Sequence, residues 1–314
     1  MTRDWADELC REIRRAVVRA LGTDWQLYLL VAPLMLWFAV FAYAPMAGLQ
    51  IAWKDYSLFK GILGSLWVGL ENFRALVGDP QFLRAVANTF AISLLSLAVA
   101  FPVPVALAIA FNEIRHSGLR RAAQTITYLP HFISVVVIAG LVVTLLAPST
   151  GVVNNAREAL GSDRIYFLTR SEWFRTIFIG SNIWKEAGFD SIVYLAAIAA
   201  IDPALYEAAR LDGASRLQLV RYITLPALIP TIVVLLLIRL GHIIEVGFEY
   251  IVLLYQPATY ETSDVIATYV YRIGLQNSDY GLAAAAGLLN ALVALALVWG
   301  ANTMARRVSA GGLW

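Results

Sequence analysis

Residues 207–226 read Glu-Ala-Ala-Arg-Leu-Asp-Gly-Ala-Ser-Arg-Leu-Gln-Leu-Val-Arg-Tyr-Ile-Thr-Leu-Pro, a polar, charged island between two long apolar segments, 187–201 and 225–238. A backbone carrying these charges must leave hydrocarbon, where unpaired polar groups are costly. Glu207-Ala208-Ala209 lies on a short helix that begins behind Asp202-Pro203, with Asp202 suited to the N-cap and Pro203 to the first helical position. Asp212-Gly213 ends that helix, because glycine accepts a left-handed backbone. A second short helix is expected from Ala214 towards Tyr222, stopping near Leu225-Pro226. Helix, glycine elbow, helix on a membrane surface is a shape that fits into something else.

The rest of the chain supplies the membrane. Of 314 residues, 60% are hydrophobic and only 15% charged, with a mean hydropathy of +0.68; an average soluble domain carries about 25% charged residues. Trp25 to Trp53, Ala85 to Asn112 and Ala122 to Asn155 contain no Asp, Glu, Lys or Arg. A bilayer-spanning helix needs ~20 such residues. Six spans are expected, at about 26–50, 86–111, 123–147, 176–201, 227–253 and 281–304, giving an all-α polytopic membrane protein with one transmembrane domain over 25–310. Pro33 and Pro45 predict a bent first span. The small residues of Gly281-Leu282-Ala283-Ala284-Ala285-Ala286-Gly287 suit close helix packing in the last.

Charge distribution orients the chain. With the N-terminus inside, segments 1–24, 112–121, 202–225 and 305–314 hold 13 of the 24 Lys and Arg in 68 residues, whereas the outer segments hold 9 in 91. Both termini and the island at 207–226 are therefore expected in the cytoplasm. Residues 1–24 form a cytoplasmic N-terminal segment. Within it Trp5, Leu9, Ile13, Val17 and Ala20 recur at helical spacing among arginines, which reads as a helix lying on the inner leaflet, with a frayed basic tail as the alternative. Cys10 is the only cysteine and permits no internal disulfide.

Ionisable residues inside spans are costly in lipid and must face protein or water. The fourth span carries Asn182, Glu186 and Asp190 at four-residue steps on one face, with Lys185 about 60° away and Tyr194 one step further along. The fifth carries Arg239, His242, Glu245 and Glu249 at steps of three, three and four, so that they form one stripe. Together the stripes predict a wet central cleft; mutual neutralisation, such as Lys185 with Glu186 or Arg239 with Glu245, is the alternative. Thr89, Ser93 and Ser96 offer a milder polar edge or ordinary packing hydroxyls.

No catalytic chemistry is legible. A phosphate-binding P-loop needs Gly-Lys-Ser/Thr, and Lys54, Lys60 and Lys185 follow Trp, Phe and Trp. His116, His131 and His242 are far apart, with no cysteine cluster beside them. No enzyme, no metal or cofactor bound by this chain and no nucleic-acid partner are expected.

Glu207-Ala208-Ala209, Asp212-Gly213-Ala214, Ile223 and Leu225-Pro226 match in residue and spacing the EAA loop of ATP-binding-cassette importer permeases, which this chain resembles. Trp184-Lys185-Glu186, Tyr194-Leu195-Ala196-Ala197-Ile198, Ile201-Asp202-Pro203 and Gly247-Phe248-Glu249 are similar to the oligosaccharide branch, and the likeness runs over about 25–310. The resemblance implies a type I importer permease fold with a cytoplasmic coupling helix in loop 202–226. It also implies two ATPase subunits that bind ATP and Mg, a second related permease, and an extracytoplasmic sugar-binding protein, all in the bacterial inner membrane system with its lipid. Glu207, Ala208, Ala209, Asp212, Gly213 and Ala214 would then couple to the ATPase, and the cargo would be an oligosaccharide. Arg239, His242 and Lys185 hint at an acidic one, as in alginate importers, because guanidinium suits carboxylate, although four carboxylates lie nearby. An ion-coupled secondary transporter of a polar solute would also place Glu and His in spans, but it needs no docking loop.

Overall fold

The computed structural model describes residues 25–308; the expectations for residues 1–24 and Cys10 lie outside them. The first span starts as α1 (Trp25–Trp37), passes through a π turn at Phe38–Tyr43 and ends as a 3-10 stretch, Ala44–Trp53. Pro33 sits inside α1 without breaking it, and Pro45 lies near the start of the 3-10 stretch. Outside it, β1 (Lys54–Asp55) and β2 (Leu66–Trp67) pair antiparallel, Lys54 opposite Trp67, and α2 (Glu71–Gly78) follows.

The second span begins earlier than its apolar run. Asp79 Oδ1 accepts the Gln81 N–H at 2.8 Å and Pro80 fills an opening position, so α3 (Pro80–Ala100) includes residues that read as outer loop. Phe101 keeps helical dihedrals, and α4 (Pro102–Glu113) completes one 34-residue apolar helix.

The third span is not continuous. α5 (Ser117–Tyr128) gives way to a 3-10 turn at Leu129–Phe132, and α6 (Val135–Leu145) leaves at 103° to the preceding helix. Pro130 sits in the turn, and Ser134 caps the new helix by accepting the Val137 N–H at 3.4 Å.

Beyond the outer α7 (Val152–Ala159), the fourth span is the unbroken α8 (Ser171–Ala199). It turns by 70° into α9 (Pro203–Leu211). α10 (Arg216–Leu219) begins two residues after Ala214, with Ser215 as its N-cap and a capping box between Ser215 and Gln218.

Nor does it stop at Pro226. A π turn at Val220–Thr224 carries the helix into α11 (Leu225–Gly241), making one 26-residue span from Arg216. Leu225 N–H reaches back to the Val220 carbonyl, so the helix widens just ahead of the proline and absorbs its missing donor and its ring.

The fifth span ends at Gly241, not near 253. Gly247, at φ +59°, redirects the chain into α12 (Phe248–Leu254). α13 (Ile266–Tyr271) and the final α14 (Tyr280–Val308) complete the fold. Among the described residues, four helices are long and apolar enough to cross a membrane, and counting each of two bent pairs as one span gives six.

The outer segment before α14 is pinned to the bundle by polar bonds. Asn88 Nδ2 donates to the carbonyls of Glu261 and Asp264, each at 3.0 Å. Arg272 grips Asp264 with two hydrogen bonds of 2.9 and 2.6 Å, and the Tyr269 hydroxyl donates to Asp79 Oδ2 at 2.6 Å. On α14, buried Ala285 and Ala286 pack against Leu76, Phe82 and Tyr269. A Cβ on Gly281 would come 2.6 Å from the Lys54 carbonyl oxygen, so close approach is used there.

Candidate translocation cavity and coupling loop

α3, α8, α11 and the chain from His242 to α12 enclose a cavity of about 670 Å³, with Asn290 of α14 on its wall. The regular α8 places Asn182, Lys185, Glu186 and Asp190 along it, as four-residue spacing requires. Arg239 arrives from the last turn of α11. His242, Glu245 and Glu249 also line the cavity, but not as a helical stripe: His242 and Glu245 stand in the non-helical stretch and Glu249 in the first turn of α12. The bend around Gly247 brings them there.

Tyr194 does not line this cavity. Only 2% of it is exposed, and it packs in a core with Val105, Ala108, Ile198 and Leu228. The polar edge on α3 divides in the same way. Ser93 and Ser96 face the cavity, whereas Thr89 is buried, donating to the Ala85 carbonyl at 2.7 Å and accepting the Ile266 N–H at 3.0 Å.

The charges are largely paired. Lys185 Nζ donates to Glu186 Oε1, and His131 Nδ1 lies 2.6 Å from Glu186 Oε2. The His131 ring stacks on Phe189 at 3.9 Å with an interplanar angle of 2°. Arg239 Nη2 donates to Asp190 Oδ2 at 2.5 Å and ties α11 to α8; the pairing with Glu245 does not form. Among the described residues neither Glu245 nor Glu249 makes an ion pair. The wall therefore holds Lys185 and Arg239 against Glu186, Asp190, Glu245 and Glu249.

At the polar island itself, α9 opens where Asp202 Oδ1 accepts the Ala204 N–H at 2.9 Å. Glu207, Ala208 and Ala209 lie on this helix, and Asp212 caps its end. Gly213 takes φ +81°, and Ala214 N–H returns to the Ala209 carbonyl at 2.9 Å. No residue of α9 is buried, and Leu211 is 89% exposed. The Tyr206 hydroxyl and Thr224 Oγ1, 2.9 Å apart, fasten α9 to the π turn below α11.

Residues 100–310 match the family described as binding-protein-dependent transport system inner membrane component. This chain belongs to that family. Its sequence is 41% identical over 304 residues to the polygalacturonan/rhamnogalacturonan transport system permease protein YteP of Bacillus subtilis (strain 168), spanning 97% of this chain and 95% of that one. It superposes at a TM-score of 0.86, with 56% identity, on a chain of a bacterial ABC transporter involved in the import of the acidic polysaccharide alginate, covering 96% of this chain and 99% of the other. A bacterial alginate ABC transporter in complex with alginate pentasaccharide-bound periplasmic protein matches at 0.87 and 57%, with 94% and 99% covered.

The chain is thus an inner-membrane permease component with the type I importer fold, and the ion-coupled alternative falls away. In this permease the cationic hint needs revision. Lys185 is engaged by its chain neighbour Glu186, and Arg239 by Asp190, across on α8. His131 is the residue that sequence reasoning missed. It stands 55 positions from Glu186, and only the break between α5 and α6 brings the two together.

Proposed function

We propose that this permease passes an acidic, uronate-type oligosaccharide from an extracytoplasmic binding protein into the cytoplasm. One observation carries the cargo: similarity along nearly the full chain to a permease named for polygalacturonan/rhamnogalacturonan and to a chain of a transporter that imports the acidic polysaccharide alginate, polymers that contain sugar acids. The cavity of about 670 Å³ is of a size that holds small ligands, and its wall is polar where sugar hydroxyls need partners.

The assembly in this reading contains two ATPase subunits that bind ATP and Mg, a second related permease and the binding protein. Membrane lipid covers the apolar first span, whose most hydrophobic stretch is unburied in the single chain. Residues 25–310 form the permease domain, residues 1–24 lie in the cytoplasm, and both termini are cytoplasmic. This chain hydrolyses nothing itself.

Loop 202–226 is the coupling element. Exposed Leu205, Leu211 and Leu217 give its surface an apolar component for docking, and Glu207 and Asp212 supply polar contacts. Ala208 and Ala209 keep the helix slim, and Gly213 with Ala214 forms the elbow. Closure of the ATPases moves α9; the Tyr206–Thr224 contact passes that movement to α11, and Arg239–Asp190 passes it to α8. Both helices line the cavity, so a push below changes access above.

Uptake by the complete complex in proteoliposomes tests the reading. ATP inside and loaded binding protein outside should drive accumulation of a uronate oligosaccharide in preference to a neutral one of equal length. Accumulation driven by an ion gradient without ATPase subunits contradicts it.

A further inference from the structure

An acidic cargo meets a cavity wall whose cations are already occupied. Lys185 is held by Glu186, which is also in contact with His131, and Arg239 is held by Asp190. Unpaired acceptors also stand on this wall. Glu245 and Glu249 make no ion pair among the described residues, and Asn290 Oδ1 is buried with no hydrogen-bond partner, as is the Tyr250 hydroxyl, which can also donate. An ionised carboxylate only accepts hydrogen bonds. A sugar acid's own carboxylate therefore brings nothing that Glu245, Glu249 and Asn290 Oδ1 need, whereas its ring hydroxyls bring donors.

Gly247 separates the two acids onto different limbs of the chain, Glu245 before the bend and Glu249 in the first turn of α12. Phe248, between them and on the same wall, adds an apolar face. From this geometry we infer that Glu245 and Glu249 read the hydroxyl groups of the cargo, so this chain's part of the pathway faces the sugar's O–H donors and not its carboxylates. The inference rests on the oligosaccharide reading above.

The complete complex in proteoliposomes, with ATP inside and binding protein plus a uronate tetrasaccharide outside, tests it. Glu245→Ala and Glu249→Ala should each slow uptake about tenfold, the loss expected for a hydrogen bond to a charged acceptor. Glu245→Gln and Glu249→Gln keep one acceptor oxygen and should slow uptake less, never speed it. An external chelator should leave wild-type uptake unchanged.

Faster uptake by the Gln variants would mean that the carboxylates only repel the cargo, overturning the inference. Chelator-sensitive wild-type uptake, restored by a divalent cation, would assign the pair to a bridging metal and also overturn it. Co-purification with the other subunits identifies variants that fail to assemble; if the Ala variants do so, the sign of the Gln effect decides. Should the wild type move only neutral oligosaccharides, the acidic cargo falls, and the same variants measured on the neutral sugar still decide the hydroxyl assignment.

Discussion

At Gly213 the constraint is conformation, not space. An added Cβ would meet nothing within 4 Å, but φ is +81°. Gly213→Val should strain the elbow by about 1–2 kcal/mol, leaving the complex assembled but lowering cargo-stimulated ATP hydrolysis; full stimulation in an assembled variant would contradict a coupling role. Gly188 is the opposite case, since a Cβ there would lie 2.0 Å from the Thr127 carbonyl oxygen. Gly188→Ala must push α5 and α8 apart at a cost of about 1–3 kcal/mol. It should lower the melting temperature of the purified complex, and an unchanged melting curve would show that the contact relaxes freely.

Arg239 tests a third kind of residue. Its side chain is 56% exposed and that of Asp190 32%, so the ion pair contributes little to stability. Arg239→Ala should therefore assemble normally yet slow uptake by cutting the tie between α11 and α8, and unchanged uptake would remove Arg239 from the coupling route. The elbow glycine was legible from its neighbours Asp212 and Ala214. Gly188 was not, because a close approach between distant helices leaves no local trace.

Elements were legible where hydrophobicity is continuous and illegible where the backbone changes type within an apolar run. The α5–α6 break lies in such a run, and Pro130 and Ser134 mark it only once a cap and a turn are sought there. Pro226 misled in the other direction, because a π turn one step earlier let the helix continue. The fifth-span stripe failed at Gly241–Gly247, yet its residues still converge on the cavity.

The outer clamp also belongs to this scale. Burial, and the hydrogen bond to Asp79, push the Tyr269 hydroxyl above its ordinary range. Hydrogen bonding to Asp264 raises Arg272 in the same direction. Both groups stay protonated in the fold, so their contribution is complete below their unfolded values and is lost only as pH rises through the folded ones, well above neutrality. Corrected hydrogen-exchange protection over 256–276 should be the same at pH 6 and pH 9, and a marked fall at pH 9 would contradict this clamp. Tyr269→Phe should weaken the segment by about 1 kcal/mol, read as faster exchange there.

At the scale of the whole molecule, mechanical continuity links the ends of the pathway. α9 hangs from α8, is fastened to the base of α11 through Tyr206 and Thr224, and both long helices carry charged residues into one cavity. The polar island and the missing P-loop made the machine legible, because both follow from local composition. The cargo was harder to read, because charge pairing across helices decides which groups remain free, and spacing along one helix does not report it.

The most direct measurement is ATP hydrolysis by the purified complex, stimulated by binding protein loaded in turn with neutral and uronate oligosaccharides of equal length. Strong stimulation by the uronate-loaded protein, well above that by the neutral-loaded or empty protein, is the predicted result. Equal stimulation by all forms, or none by any, would contradict a permease coupled through this loop to an acidic sugar.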